Sequence, residues 1–177
     1  MPLEQEIRGI VQDGNFDAET SAVFLERLHE SQLTRDENST SHFCAYFAAF
    51  NPANKQVFIG HHKKSGLWLF NGGHIDPNEN ISTTLSREMT EEWGMQFTPE
   101  PVPFLITVTT IESNPARRPC KKHFDIWYKI PITGEPPFDQ NKLATEFYET
   151  RWMPISEALT LVTDPSTLLA LQALGIA

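Results

Sequence analysis

Three glutamates, Glu88, Glu91 and Glu92, stand at spacings i, i+3 and i+4. With about 100° of rotation per residue, and Leu85 taken as zero, Leu85, Met89 and Trp93 fall near 0°, 40° and 80°. The glutamates fall near 300°, 240° and 340° on the same count. One side of the predicted helix is therefore a core stripe, and the arc beside it is carboxylate. Like charges at these spacings repel by about 0.2–0.5 kcal/mol per pair. Negative charge near a helix C-terminus, which Gly94 is expected to provide, opposes the helix dipole by about 0.3–1 kcal/mol each. A hard divalent cation with oxygen ligands turns both costs into binding energy, and Mg2+ takes one or two carboxylates plus substrate phosphates. Without such an ion the pattern is a solvated acidic face.

The glutamates belong to a longer pattern. Gly73, Glu79, Arg87, Glu88, Met89, Glu91, Glu92, Gly94 and Met95 stand at fixed intervals over residues 73–95. This resembles the signature of the Nudix hydrolase family: Gly, five residues, Glu, seven residues, Arg-Glu, an aliphatic, one residue, Glu-Glu, one residue, Gly, an aliphatic. Every specified position is filled. The resemblance implies an α/β (α+β) fold, an α/β/α sandwich around a mixed β-sheet, here with an N-terminal helical extension. It also implies Mg2+, with Mn2+ as a substitute, bound most directly by Glu88 and Glu92. Glu91 would be a third ligand or a water partner, and the Gly72 carbonyl a backbone ligand. Arg87 and Glu79 would support the metal helix as a bidentate pair, with Gly73 and Gly94 as structural glycines. Asn71 departs from the family, which frequently has proline there; Asn tolerates unusual turn geometry.

The family often draws a further carboxylate from far downstream. The segment Glu146-Phe-Tyr-Glu149-Thr-Arg-Trp152 offers two. Glu146 is the first choice and Glu149 the second, and plain surface charge is the alternative for both. The implied catalytic set is Glu91, Glu92, Glu146 and Arg87. Candidate substrate contacts are His74, Lys64, His123 and Asp125. His123 and Asp125 alternate on a predicted strand, so both face one side, with Phe124, Ile126 and Tyr128 on the other. They form either a polar floor to a cleft or a solvent-exposed strand face. His74 follows the glycines and contacts substrate or water, unless it is an exposed loop residue. The basic clusters His61-His62-Lys63-Lys64 and Arg117-Arg118 with Lys121-Lys122 could attract a polyanion. Trp68, Phe70 and Trp152 could stack on a base, although most such aromatics are core.

The elements that must position these residues are legible by period. Residues 3–12 and 17–32 read as helices, the second capped by Asp17, and residues 33–41 as a linker. His42–Phe50 and Gln56–His61 read as a hairpin around Asn51-Pro-Ala-Asn54. Leu67–Phe70 leads into the glycine pair, and Asn80 can cap a helix running to about Trp93. Phe104–Ile111, His123–Ile132 and Thr145–Met153 read as strands. Pro154 could begin a helix around 156–161, and 165–174 a last one. We divide the chain into residues 1–36, the extension, and 40–177, the domain.

With 177 residues the chain can bury a sizeable core. The 14 basic and 23 acidic residues leave a net charge of −9, which argues against nucleic acid and anionic membrane as partners. No apolar run is long enough to span a bilayer, and no signal-peptide pattern opens the chain, so the cytoplasm is the expected location. Cys44 and Cys120 are too few for a disulfide scaffold and lack metal-site spacing; Cys44 reads as core. The expected activity is Mg2+-dependent hydrolysis of the diphosphate linkage in a nucleoside diphosphate joined to another moiety, by a monomer or homodimer. The alternative is a non-catalytic Nudix-like nucleotide-binding or regulatory module, which would usually lack one of the signature glutamates. A prenyl diphosphate isomerase of the same fold would need a reactive cysteine near the glycine loop.

Overall fold

The computed structural model describes residues 1–95, 101–111, 120–132 and 138–176. The chain opens with helices α1 (Leu3–Asp13) and α2 (Ala18–Leu28). Asp17 caps α2 by accepting a hydrogen bond from the Thr20 N–H at 2.8 Å. The helix ends four residues earlier than its sequence period suggests. Ser31 and Gln32 both take φ of 53°, and the buried Arg27 guanidinium gathers the carbonyls of Ser31, Gln32 and Ser41 at 2.7–2.9 Å. That guanidinium pins the connection against the first strand.

Seven strands follow among the described residues: β1 (Ser41–Asn51), β2 (Gln56–His62), β3 (Trp68–Leu69), β4 (Asn71–His74), β5 (Val102–Thr110), β6 (Lys122–Pro131) and β7 (Phe147–Pro154). They make one mixed sheet, in which β1 runs parallel to β6 and antiparallel to β2 and β4. The expected hairpin pairs only at its turn, Phe50 with Val57 and Asn51 with Gln56. Beyond it the strands part, and β4 takes over the edge of β1 from Cys44 to Phe47. This divergence seats the glycine pair inside the sheet. β1 is buried along most of its length on both faces, as a central strand covered on both sides should be.

Strand alternation sorts the apolar residues into two cores. Phe43, Ala45, Phe47, Phe124, Ile126 and Tyr128 face α1, α2 and the helix bearing the glutamates. Ala48, Phe50, Trp127 and Ile59 face α5 (Ile155–Leu161) and α6 (Pro165–Ile176). The result is the expected α/β/α sandwich. The N-terminal helices pack on the sheet, with Ile7, Val11, Phe24 and Leu28 in the same core as the glutamate helix. No helix among the described residues is long and apolar enough to cross a membrane.

Two local readings are corrected. The glutamate helix, α3 (Ile81–Glu88), is capped by Asn80, but its last turn, Met89–Trp93, is π-helical rather than α-helical. Thr145 and Glu146 are not strand: they end a short helix, α4 (Gln140–Glu146), and β7 begins at Phe147. Asp139 caps α4 through the Asn141 N–H, and Leu143 is its one buried residue. A helix with so little apolar face leaves almost no period to read.

Candidate active site

The π turn is held from two sides. Met89 and Trp93 are buried beneath it, and Trp93 stacks on Phe138 with ring centres 4.4 Å apart. From α4, Lys142 Nζ donates to the Thr90 carbonyl at 2.8 Å, and the Asp139 N–H donates to the Trp93 carbonyl at 2.9 Å. Gly94 ends the turn with φ of 74°, and a Cβ there would stand 2.7 Å from Asp139 Cβ. Glycine is thus required both for the left-handed conformation and for the approach of α4. At the other end, Glu6 of α1 accepts a hydrogen bond from the Ile81 N–H at 3.0 Å. The N-terminal extension therefore helps to cap the glutamate helix.

The three glutamates occupy different environments. Glu92 is 9% exposed. Asn71 Nδ2 donates to its Oε2 at 2.6 Å, and a backbone hydrogen bond from Gly72 reaches it as well. Burial dominates, the charges of Glu88 and Glu146 add to it, and the pKa is pushed up to about 8 despite the Asn71 contact. Glu88 is also buried, and burial raises its pKa against the opposing pull of Arg87. Glu91 is exposed, 3.5 Å from Arg87. The three carboxylates do not close to within 4.8 Å of one another.

Arg87 organises the groups around them. Its Nε and one terminal nitrogen donate to the two oxygens of Glu79 at 2.9 and 3.0 Å. The other terminal nitrogen donates to Glu88 Oε1 at 2.7 Å, and a further bond reaches the His74 carbonyl at 3.0 Å. These contacts hold its pKa above the ordinary guanidinium range, and Glu79 is correspondingly held below the usual carboxylate range. One guanidinium thus joins the glycine strand, the loop and the helix. Gly73 lies against this assembly: a Cβ there would stand 2.2 Å from Glu88 Oε1. Asn71 takes the place where the resembling family frequently has proline, and its amide bonds Glu92, which proline could not do.

The downstream candidates separate. Glu146, at the end of α4, accepts from Lys64 Nζ at 2.5 Å and lies 3.6 Å from His62. Burial alone would raise its pKa, but Lys64 and His62 overcome that and hold it below the ordinary value. Its charge is felt at Glu92. Glu149 is exposed on β7 and pairs with Arg151 at 2.9 Å. Lys64 is therefore engaged with Glu146. His123 and Asp125 do share one strand face, but that face is buried, not solvent-exposed. Asp125 accepts from Thr107 and Thr109, and burial pushes its pKa up to about 7. His74 lies within 5.0 Å, ring centre to ring centre, of both His42 and His123. Phe70 is core; Trp68 stacks on His61, and Trp152 packs on Phe58. Arg117 and Arg118 lie outside the described residues. Along the chain neither cysteine is near the glycines, yet Cys44 lies opposite His74 on β1. Its thiol is fully buried and pushed well above its ordinary pKa, the opposite of a reactive thiolate.

A hard divalent cation fits the carboxylate side of this site. The donors are all oxygen, and the partners described for Glu92 are uncharged amides, so a buried negative charge there lacks compensation. Glu88 and Glu92 supply the two carboxylates that Mg2+ ordinarily accepts from protein.

The model of the NUDIX domain family matches residues 40–172. Among solved structures, a NUDIX hydrolase from Nitrosomonas europaea is similar at 18% identity over 76% of this chain and 88% of that one, with a TM-score of 0.58. The E. coli dihydroneopterin triphosphate pyrophosphohydrolase is similar at 14% identity over 76% and 96%, with a TM-score of 0.61. The NUDIX domain of Shewanella oneidensis NrtR, complexed with ADP ribose, is similar at 15% identity over 76% and 85%, with a TM-score of 0.56. At these identities the likeness concerns the fold. No curated protein matches the chain.

Proposed function

The chain belongs to the Nudix family, and on that premise we propose that it hydrolyses the diphosphate linkage of a nucleoside diphosphate joined to another moiety, using Mg2+ or, in its place, Mn2+. The observation that carries this reading is Glu92: a buried carboxylate whose partners among the described residues are amides, beside Glu88, inside a complete signature. The catalytic unit is residues 40–177, with residues 1–36 as a helical extension that reaches the helix through Glu6.

Glu88 and Glu92 would hold the cation, with exposed Glu91 as a third ligand or water partner and the Gly72 carbonyl as a backbone donor. Bound there, the metal neutralises charge on the phosphate oxygens and lowers the pKa of water. Arg87, fixed on Glu79, keeps Glu88 in place and does not itself meet substrate. Glu146, kept anionic by Lys64 and His62, accepts the proton of the attacking water. The water oxygen bonds to phosphorus, the bond from phosphorus to the bridging oxygen breaks, and the bridging oxygen leaves with the departing phosphate. His74, His123 and Asp125, the expected substrate contacts, lie on the sheet face turned away from the carboxylates and take no direct part in this reaction. The rival module reading is disfavoured because no signature glutamate is missing.

The test is a panel of nucleoside diphosphate derivatives, ADP ribose first, with release of nucleotide and phosphate followed with Mg2+ and with chelator. Cleavage that needs the added cation supports the proposal. Cleavage that persists undiminished in chelator refutes the metal role, and binding without cleavage across the panel favours the module.

A further inference from the structure

The face of the sheet away from α3 carries a second group of donors at one end. On β1 and β6, which run parallel, His42 lies opposite His123. On β4 His74 lies one place along, opposite Cys44. Side chains alternate along a strand. Phe43, Ala45 and Phe124 point into the core beneath α3, and Gly73 faces Glu88. His42, His74 and His123 therefore point the other way, away from the carboxylates. The chain just before β6 adds Cys120. It is held there by the Lys121 and Lys122 N–H groups, which donate to the Thr40 carbonyl at 2.8 and 3.0 Å.

These four side chains converge. The imidazole centres lie 4.8, 4.8 and 5.0 Å apart. One donor atom from each of His42, His74, Cys120 and His123 lies within 4.8 Å of all the others, and Cys120 Sγ is 3.9 Å from His42 Nε2. In a tetrahedral site with nitrogen at about 2.0–2.1 Å and sulfur at about 2.3 Å from zinc, neighbouring donors stand about 3.3–3.6 Å apart. Side-chain rotation of about 1 Å closes the difference. His42 is already oriented as metal-bound histidines usually are: its Nδ1 lies 2.9 Å from the Asn38 carbonyl, so Nε2 is the nitrogen turned to the cluster. His42, Cys120 and His123 are buried, and His74 is partly exposed. Three imidazoles and a thiol are a poor set for Mg2+ and a good one for a borderline-soft ion.

We propose that His42, His74, Cys120 and His123 bind one Zn2+, in a site separate from the carboxylate site. All four positions are filled by protein, so the role is structural and not catalytic. The ion would fasten the beginnings of β1 and β6 to the end of β4. Gly73 and the His74 carbonyl on that strand are in contact with Glu88 and Arg87. Occupancy of the second site thus sets the position of the glycine strand against the helix.

The full chain is freed of metal, supplied with Zn2+ or Co2+ in excess Mg2+ and passed through gel filtration. The expected result is about one equivalent of Zn2+ per chain. Co2+ should give the visible bands of a tetrahedral centre and a thiolate-to-cobalt charge-transfer band. Cys120→Ser should abolish the charge-transfer band. Cys120→Ser and His42→Gln, checked for folding by circular dichroism, should each weaken Zn2+ by about tenfold or more, while Glu92→Gln should leave it bound. Absence of stoichiometric Zn2+, or a cobalt form of the wild-type chain without the thiolate band, overturns the proposal without recourse to any variant. Zn2+ that survives both ligand substitutions but is lost with Glu92→Gln also overturns it, because the ion is then at the carboxylates.

Discussion

Glu92→Gln should stabilise the metal-free fold while abolishing turnover. Glu92 has a folded pKa of about 8 against an ordinary value of 4.5, raised mainly by burial. The folded chain therefore keeps a proton that the unfolded chain releases, and stability contributed by this group falls as pH rises from about 4.5 to 8. At about 1.4 kcal/mol per pKa unit, the ionised group opposes folding by about 5 kcal/mol well above pH 8 and by about 3 kcal/mol at pH 7. Gln mimics the protonated form, and its carbonyl can still accept from Asn71. In chelator, the variant should exceed wild type by less than about 1 kcal/mol at pH 5 and by about 3 kcal/mol at pH 7. For a chain of this size the latter corresponds to about 6–12 °C in the thermal midpoint. Asp125, whose pKa of about 7 also reflects burial, slopes both proteins alike, so the difference between them isolates Glu92. Mg2+ should raise the midpoint of wild type far more than that of the variant. The measurement is thermal or denaturant unfolding from pH 5 to 8.5 in EDTA and in Mg2+. A gap between variant and wild type that stays constant with pH, or one that closes as pH rises, would refute the reasoning.

Glu146→Gln should lower kcat by about 100-fold or more with little change in KM, whereas exposed Glu149→Gln should stay within about twofold; steady-state kinetics on both, with the same diphosphate, reverses the assignment if the ranking inverts. Gly73→Ala places a methyl group 2.2 Å from Glu88 Oε1, so turnover should fall by about tenfold or more, and its Mg2+ requirement should shift to higher concentration; unchanged Mg2+ titration curves would show that Glu88 is not a ligand. Arg87→Lys loses the two-pronged contact with Glu79 and the bond to the His74 carbonyl, and should cost about 1–3 kcal/mol in stability and weaken Mg2+, as read by denaturation and by cation titration; a variant with unaltered metal dependence would make Arg87 a purely structural residue.

The fold was legible where burial imposes a period. Leu85, Met89 and Trp93 announce the buried side of the glutamate helix, and Asp17 and Asn80 mark helix starts because their side chains accept from the third residue on. The π turn was not legible. An α-helical count puts Glu88 and Glu92 in one arc with Glu91, but the widened turn comes from contacts with Phe138, Asp139 and Lys142, which lie far along the chain. The divergence of β1 and β2 was hidden for a related reason. A turn sequence specifies pairing next to the turn, and nothing in residues 41–62 records that residues 71–74 take over the edge. Helix α4 escaped because one buried leucine sets no period.

The two donor groups differ in legibility for a physical reason that bears on how they are read elsewhere. Helical neighbours are three and four residues apart, so Glu88, Glu91 and Glu92 carry their geometry in their spacing. Imidazoles on β1, β4 and β6 meet only across strand register, at positions 42, 74 and 123, and their sequence separation says nothing of their distance in space. The sequence reading assigned His74 and His123 separately to substrate and set Cys120 aside for lack of ligand spacing. Register supplies what spacing lacks: a parallel pair puts His42 beside His123, and an antiparallel one places His74 a single step along. The hint that was present is parity. His42 on β1 and His123 with Asp125 on β6 interrupt an otherwise apolar face at matching register, so two neighbouring strands carry polar side chains on one side. Hydrogen-bonding side chains on adjoining buried strands need partners in the protein or a ligand, because a buried face offers them no water; Asp125 finds Thr107 and Thr109, and His42 the Asn38 carbonyl.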